Sequence, residues 1–190
     1  EAVSLGVLWC LITGGEPLLR EDFSDIYLYL KEKGVLVSVF TNATLLGLAH
    51  VDLFRKYPPR DLEISVYGVT RSTYERVTRT PGSYKAFRIG LDLLLAGGIK
   101  IRLKAMALRS NLHEMADIAR FCCEHTHDFL RIEQHDKWLG FNRNDIIQWL
   151  ASAGLKNIVV DCVGDNCCAD SESNRTERAE ISIFIGYGEK

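Results

Sequence analysis

The residues best suited to chemistry form the string Thr13-Gly14-Gly15-Glu16-Pro17-Leu18-Leu19-Arg20, which ends an apolar run at residues 7–13. That run reads as a strand covered on both faces. Parallel α/β sheets and barrels bind ligands beyond the carboxyl ends of their strands, where this string falls. Two glycines let backbone approach a ligand closely and adopt angles that other residues avoid. Glu16 offers a carboxylate that can accept hydrogen bonds from an ammonium group, and Pro17 fixes the turn and removes a competing donor. The alternative is a strand-to-helix turn carrying an incidental acid. Elsewhere, His125, His127 and His135 with Asp128 and Asp136 carry the ligand types of a metal site. A polar linker with solvated histidines is the preferred reading of them. Cys162, Cys167 and Cys168 present soft thiolates that would suit zinc or a trivalent arsenical, but no Cys-x2-Cys spacing supports a zinc site. No metal ligand is assigned.

The elements that position these residues follow from periodicity. Phe23, Ile26, Tyr27 and Leu30 recur at helical spacing, with Gly34 as the stop. Residues 35–41 form a second apolar strand, and 62–67 a third after the Pro58-Pro59 break. Phe87, Leu91, Leu94 and Leu95 make a helical stripe closing at Gly97-Gly98, before a strand over 99–108. Asn111 with Glu114 resembles a capping box for a helix carrying Leu112, Met115 and Cys122. Such alternation predicts an α/β fold with a parallel sheet of βαβ crossovers, open or part of a barrel. A last helix starts near Asn142 or Asn144, carries Ile146, Ile147 and Leu150, and ends before Gly154. Two β-rich runs, 157–163 and 179–187, flank a polar loop and read as a closing edge.

Composition narrows the function classes. The 190 residues are 47% apolar and 25% charged, with a formal net charge of −2. That balance suits a globular domain and gives no sign of a nucleic-acid or anionic-membrane partner. The apolar runs fall well short of the roughly 18 residues a membrane span needs. Glu1 opens the chain without signal-peptide features, which suggests a true beginning further upstream. The six cysteines include two vicinal pairs and no regular framework, pointing to a reducing cytoplasm. Residues 1–121 carry 16 basic and 13 acidic side chains, and residues 122–190 carry 7 and 12, which marks a boundary between two parts.

Gly14-Gly15-Glu16-Pro17, Phe40-Thr41-Asn42 and Glu63-Ile64-Ser65-Val66-Tyr67-Gly68, at three successive strand ends, together resemble the radical SAM superfamily over residues 1–121. The likeness is to peptide-modifying and cofactor-maturing members that carry a C-terminal SPASM extension. It implies a partial parallel (β/α) barrel in which Gly14, Gly15, Glu16 and Pro17 hold the amino group of S-adenosylmethionine. Thr41 and Asn42 would line the site, Glu63 and Ser65 would lie near the ribose, and Lys104 is a further candidate. The resemblance also implies a [4Fe–4S] cluster on three thiolates spaced Cys-x3-Cys-x2-Cys, and a peptide or small-molecule substrate. No such triplet occurs in the 190 residues, so no catalytic residue is assigned and the expectation is an inactive part of such an enzyme.

Residues 124–190 carry a second resemblance. Glu124-His125-Thr126-His127-Asp128-Phe129-Leu130-Arg131, Trp138-Leu139-Gly140-Phe141, Trp149-Leu150 and Ala153-Gly154-Leu155 look like the end of class I S-adenosylmethionine methyltransferases of the ArsR-associated type. The likeness implies a join at 121–124 with the barrel's final βα units missing. A methyltransferase-derived protein and a non-catalytic chimeric remnant are therefore the alternative readings. A truncated sheet also exposes an edge that invites self-association.

Overall fold

Apolar stripes at helical spacing alternate with short β-rich runs, and each becomes an element in the computed structural model, which describes residues 3–125, 131–134, 143–152, 154, 156–163 and 183–189. In chain order these are β1 (Trp9–Ile12), α1 (Phe23–Glu32), β2 (Leu36–Thr41), α2 (Leu48–Lys56), β3 (Asp61–Val66), α3 (Arg71–Thr78) and α4 (Ser83–Ala96). There follow β4 (Arg102–Ala107), α5 (Met115–His125), β5 (Arg131–Gln134), α6 (Arg143–Ser152), β6 (Lys156–Val163) and β7 (Ile183–Glu189).

The first five strands pair in parallel in the order β1-β2-β3-β4-β5. Sequential order with right-handed crossovers keeps the helices on one side of the sheet, the arrangement of a partial barrel. The expected fold class is therefore found. On the helix side, Val37 and Val39 of β2, Ile64 and Val66 of β3, and Leu103 and Ala105 of β4 are all fully buried. Phe23 and Tyr27 of α1 meet Phe54 of α2 edge to face, with ring centroids 6.3 and 5.4 Å apart. β6 and β7 fall on the two β-rich runs, but they pair antiparallel in a two-stranded sheet of their own and not as the closing edge of the parallel sheet. Among the described residues, no helix is long and apolar enough to cross a membrane.

Several expectations change. The apolar run at 7–13 yields β1 at the sheet's edge, where Trp9 is half exposed and Leu8 largely so, and not a strand covered on both faces. Asn111 and Glu114 form no capping box: the Asn111 side chain makes no cap bond, and both residues reach across to the preceding βα loop. Residues 121 and 122, where the charge balance shifts, both lie in α5, and β5 follows them in the same sheet. α2 and α3, which periodicity did not announce, bury only two side chains each: Val51 and Phe54, and Thr73 and Tyr74.

Candidate functional site

The glycine-rich turn leaves β1 with Gly14 at φ 147°, a conformation that favours glycine, and a Cβ at Gly14 or Gly15 would meet nothing within 4 Å. Glu16 then caps the short 3-10 turn Pro17–Leu19, accepting from the Leu18 N–H with Oε1 at 3.1 Å. The same oxygen accepts from the Thr41 hydroxyl at 2.6 Å, and Oε2 accepts from the Asn42 N–H at 2.7 Å. A nearly buried carboxylate thus ties the end of β1 to the end of β2. A carboxylate has about four acceptor sites, so Oε2 retains room for a further donor.

The β2 end is itself built to hold that shape. Asn42 Oδ1 accepts from the Thr44 N–H and hydroxyl at 2.9 and 2.6 Å, and Thr41 Oγ1 accepts from the Ala43 N–H at 3.1 Å. Ala43, fully buried, sits at φ 62°, a left-handed conformation that a non-glycine residue keeps only when its surroundings impose it. α4 supplies that constraint at Gly90, where a Cβ would stand 2.0 Å from the Ala43 carbonyl oxygen. Nearby, burial lowers the His50 pKa despite the opposing pull of Glu16, and its Nδ1 accepts from the Gly47 N–H at 3.2 Å.

The sheet's other face is polar. Trp9 Nε1 donates to Ser38 Oγ and Ser38 to Asp61 Oδ2, each at 2.9 Å, and Asp61 pairs with Arg102. Two residues further along, Glu63 is buried and lies 3.8 Å from the Lys104 ammonium, which stands 5.5 Å from the Phe40 ring centroid. Ser65 is half-buried and in register with Lys104. The structure therefore gathers Glu16, Thr41 and Asn42 into one hydrogen-bonded group at the rim. It places Glu63, Ser65 and Lys104 together on the polar face.

Sequence reasoning missed a second clamp. Glu114, buried at the β4–α5 loop, accepts from the Val69 and Thr70 N–H groups at 2.9 and 3.3 Å, from the Thr73 hydroxyl at 2.6 Å and from the Thr70 hydroxyl. Asn111 Nδ2 donates to the Tyr67 and Met106 carbonyls at 2.9 Å. Burial pushes the Glu114 carboxyl up, but its hydrogen bonds from Thr70, Thr73 and the backbone outweigh this and hold it below its ordinary value of 4.5. A carboxyl lowered by folding stabilises fully above its unfolded pKa, and that contribution fades as pH falls through the folded one. Glu114→Gln is expected to lower stability at neutral pH by roughly 2 kcal/mol and to flatten the acid limb of a pH–stability curve. Urea midpoints measured from neutral pH down to about 3 check this, and parallel acid limbs would refute it.

His127, Asp128, His135, Asp136, Cys167 and Cys168 lie outside the described residues, as do Trp138 and Phe141. His125 shares a hydrogen bond with the Phe121 carbonyl at 2.8 Å, and Cys162 lies in β6.

The family model of the Radical SAM superfamily matches residues 1–122. The chain is 26% identical over 112 residues to an AdoMet-dependent heme synthase of Nitratidesulfovibrio vulgaris, covering 59% of this chain and 30% of that protein. It is 33% identical over 137 residues to a probable GTP 3',8-cyclase of Aeropyrum pernix, covering 71% and 38%. Its fold is similar to that of Streptococcus suis SuiB bound to precursor peptide SuiA, with a TM-score of 0.64 and 18% identity over 80% of this chain and 36% of that one. The chain thus spans about a third of the length of the curated relatives it matches, 30% and 38% of these two.

Proposed function

This chain belongs to the radical SAM superfamily, and from that premise we propose that it binds S-adenosylmethionine across the ends of β1, β2 and β3, within an enzyme that modifies a peptide or a cofactor precursor. The observation that carries this reading is the Glu16 carboxylate held by Leu18, Thr41 and Asn42, which keeps the Gly14-Gly15 backbone open at the rim. Gly14, Gly15 and Glu16 take the cofactor's ammonium group, Glu16 through the free capacity of Oε2, while Pro17 fixes the turn. Thr41 and Asn42 line the site, and Glu63 and Ser65 face the ribose from the polar side of β3. Bound, and cleaved by one electron from a reductant outside the described residues, the cofactor would supply a 5′-deoxyadenosyl radical for hydrogen abstraction, and the chain's residues would orient it and shield it from water.

The family's second cofactor, a [4Fe–4S] cluster, does not fit the described residues. Cys10 is half-buried in the edge strand β1, and Cys122 and Cys123 are buried in α5. Burial, reinforced by Cys123, holds the Cys122 thiol well above its ordinary pKa, the opposite of what a thiolate ligand needs. Among the described residues, no three His, Cys, Asp or Glu side chains gather as a metal site. The three free thiols suit a reducing cytoplasm.

Calorimetric titration of the full chain with S-adenosylmethionine tests the proposal. Saturable one-to-one binding that adenosine alone does not match is expected, and no saturable binding would overturn it. A second reading, descent of residues 124–190 from a methyltransferase, has the antiparallel β6–β7 pair in its favour. Methyl transfer surviving strict iron removal would support it. The outer edge of β1, flanked by exposed Leu8 and Trp9, favours self-association. Sedimentation velocity is expected to show larger species with rising concentration in the wild type and not in Leu8→Lys; identical profiles would remove the edge as the cause.

A further inference from the structure

A cavity of about 680 Å3 opens at the amino ends of β3 and β4, between the α2–β3 loop and the turn that joins α4 to β4. It lies at the opposite end of the sheet from the Gly14–Pro17 turn, and the six residues of β3 put about 20 Å between the two. Both of its walls are held in place. In the loop, the Tyr27 hydroxyl donates to the Tyr57 carbonyl at 2.6 Å, Lys31 to the Pro58 carbonyl at 2.7 Å, and the Arg60 N–H to the Val37 carbonyl at 2.7 Å. Pro58 and Pro59 stiffen the same loop. Across the cavity, the Gly97 and Gly98 N–H groups close α4 on the Leu93 and Leu95 carbonyls.

Four cations line this cavity, Arg55, Arg60, Lys100 and Arg102, against one carboxylate, Asp61. Two of the four have other work. Arg55 pairs with Asp52 at 3.1 Å and, in the last turn of α2, offsets the negative end of that helix. Arg102 donates to Asp61, which also accepts from the Ser38 hydroxyl at 2.9 Å. Arg60 is then a second guanidinium on a carboxylate already engaged, 3.5 Å away, and Lys100 has no ion-pair partner among the described residues. The Tyr57, Pro58, Leu93 and Leu95 carbonyls around them already accept hydrogen bonds. A cation would meet like charge and occupied acceptors here, whereas an anion meets the surplus charge of Arg60 and Lys100. A phosphate monoester carries about −1.5 to −2 at neutral pH and matches that surplus. A carboxylate would balance only half of it. The Arg60 fork also suits two phosphate oxygens at once. We propose that this cavity binds a phosphate group, free or as the monoester of a small molecule, through Arg60 and Lys100. Its volume is that of a pocket for a small organic molecule, so the monoester is the expected source. The inference goes beyond the function proposed above and does not depend on it: at this distance from the cofactor end, the phosphate belongs to a second ligand and not to the reacting group.

The test follows the amide shifts of the 15N-labelled full chain, at Gly97, Gly98 and Lys100 above all, as inorganic phosphate, glucose 6-phosphate or glucuronate is added at constant ionic strength. Saturable shifts with both phosphates are expected, and weaker ones with glucuronate, which keeps the sugar ring but carries a single charge. Arg60→Gln and Lys100→Gln should each weaken phosphate binding about tenfold. Both side chains are exposed, so Tm should not change. Arg76→Gln, which removes an exposed cation on α3, should leave phosphate binding as it was. Glucose 6-phosphate binding tighter than inorganic phosphate identifies a monoester as the ligand, and equal affinity identifies the free ion; either result upholds the site. No saturable shift with either phosphate would overturn it. So would glucuronate binding as tightly as the phosphates, undiminished binding in Arg60→Gln and Lys100→Gln, or an equal loss in Arg76→Gln.

Discussion

Gly90→Ala is expected to destabilise the chain by roughly 3 kcal/mol and to weaken S-adenosylmethionine binding with it. In an ordinary helix interior the same change stabilises, by about 1 kcal/mol, so even the sign is informative. The reversal arises because the added Cβ would stand 2.0 Å from the Ala43 carbonyl oxygen, 3.1 Å from its carbonyl carbon and 3.2 Å from the Leu46 Cβ. Backbone cannot step aside as a flexible side chain can. α4 must lift or the Ala43 turn must move, and that turn is already at φ 62°. Movement passes directly to the site, since the Ala43 N–H rests on Thr41 Oγ1 and Thr41 donates to Glu16. Urea denaturation with calorimetric titration checks both halves, with exposed Lys85→Ala on the same helix as the near-neutral control. A Gly90→Ala variant as stable as the wild type would show that α4 does not clamp the turn.

The same pair of residues explains what could and could not be read from sequence. Helices with a broad apolar stripe and a glycine stop, such as α1 before Gly34 and α4 before Gly97-Gly98, declare themselves locally. So do the apolar cores of β2, β3 and β4, because a strand buried beneath helices has few polar positions on that face. Gly90 was the one overlooked local signal. It falls between Phe87 and Leu91 on the buried stripe, and a glycine there, at a cost of about 1 kcal/mol, marks a close approach. Other features have no local signature. Glu114 lies three residues after Asn111, as in a capping box, yet its donors at Val69 and Thr70 are 45 and 44 positions away in the chain. α3 hides because it is a polar helix that packs through Thr73 and Tyr74 and carries too few apolar side chains to mark a stripe. β5 is four residues of mixed polarity that join the sheet through pairing to β4, a tertiary effect. At the site, the motif residues at two strand ends were legible by type. That Glu16 spends its carboxylate bracing those ends emerges only from three-dimensional contacts.

That brace makes Glu16→Gln the sharpest probe of the functional reading. The amide keeps the volume and loses the charge, and no orientation of it suits all three donors. With its oxygen toward Leu18 and Thr41, its NH2 confronts the Asn42 N–H across a contact that was 2.7 Å. Flipped, it satisfies Asn42 and opposes the Leu18 N–H instead. Either way a buried N–H loses its acceptor, so a loss of about 2 kcal/mol in stability is expected. If Oε2 also receives the cofactor's ammonium, affinity should fall by about tenfold or more beyond what partial unfolding explains. Glu21→Gln, an exposed acid in the adjoining turn, should change neither quantity. The two readouts separate the roles of the carboxylate. Stability lost with affinity intact would make the Gly14–Pro17 string a strand brace and remove the cofactor proposal. Affinity lost with stability intact would place the carboxylate's work on the ligand and make the Thr41 and Asn42 contacts dispensable. Loss of both follows if one group ties the strand ends together and meets the ligand with its remaining acceptor site, as the Oε2 geometry permits.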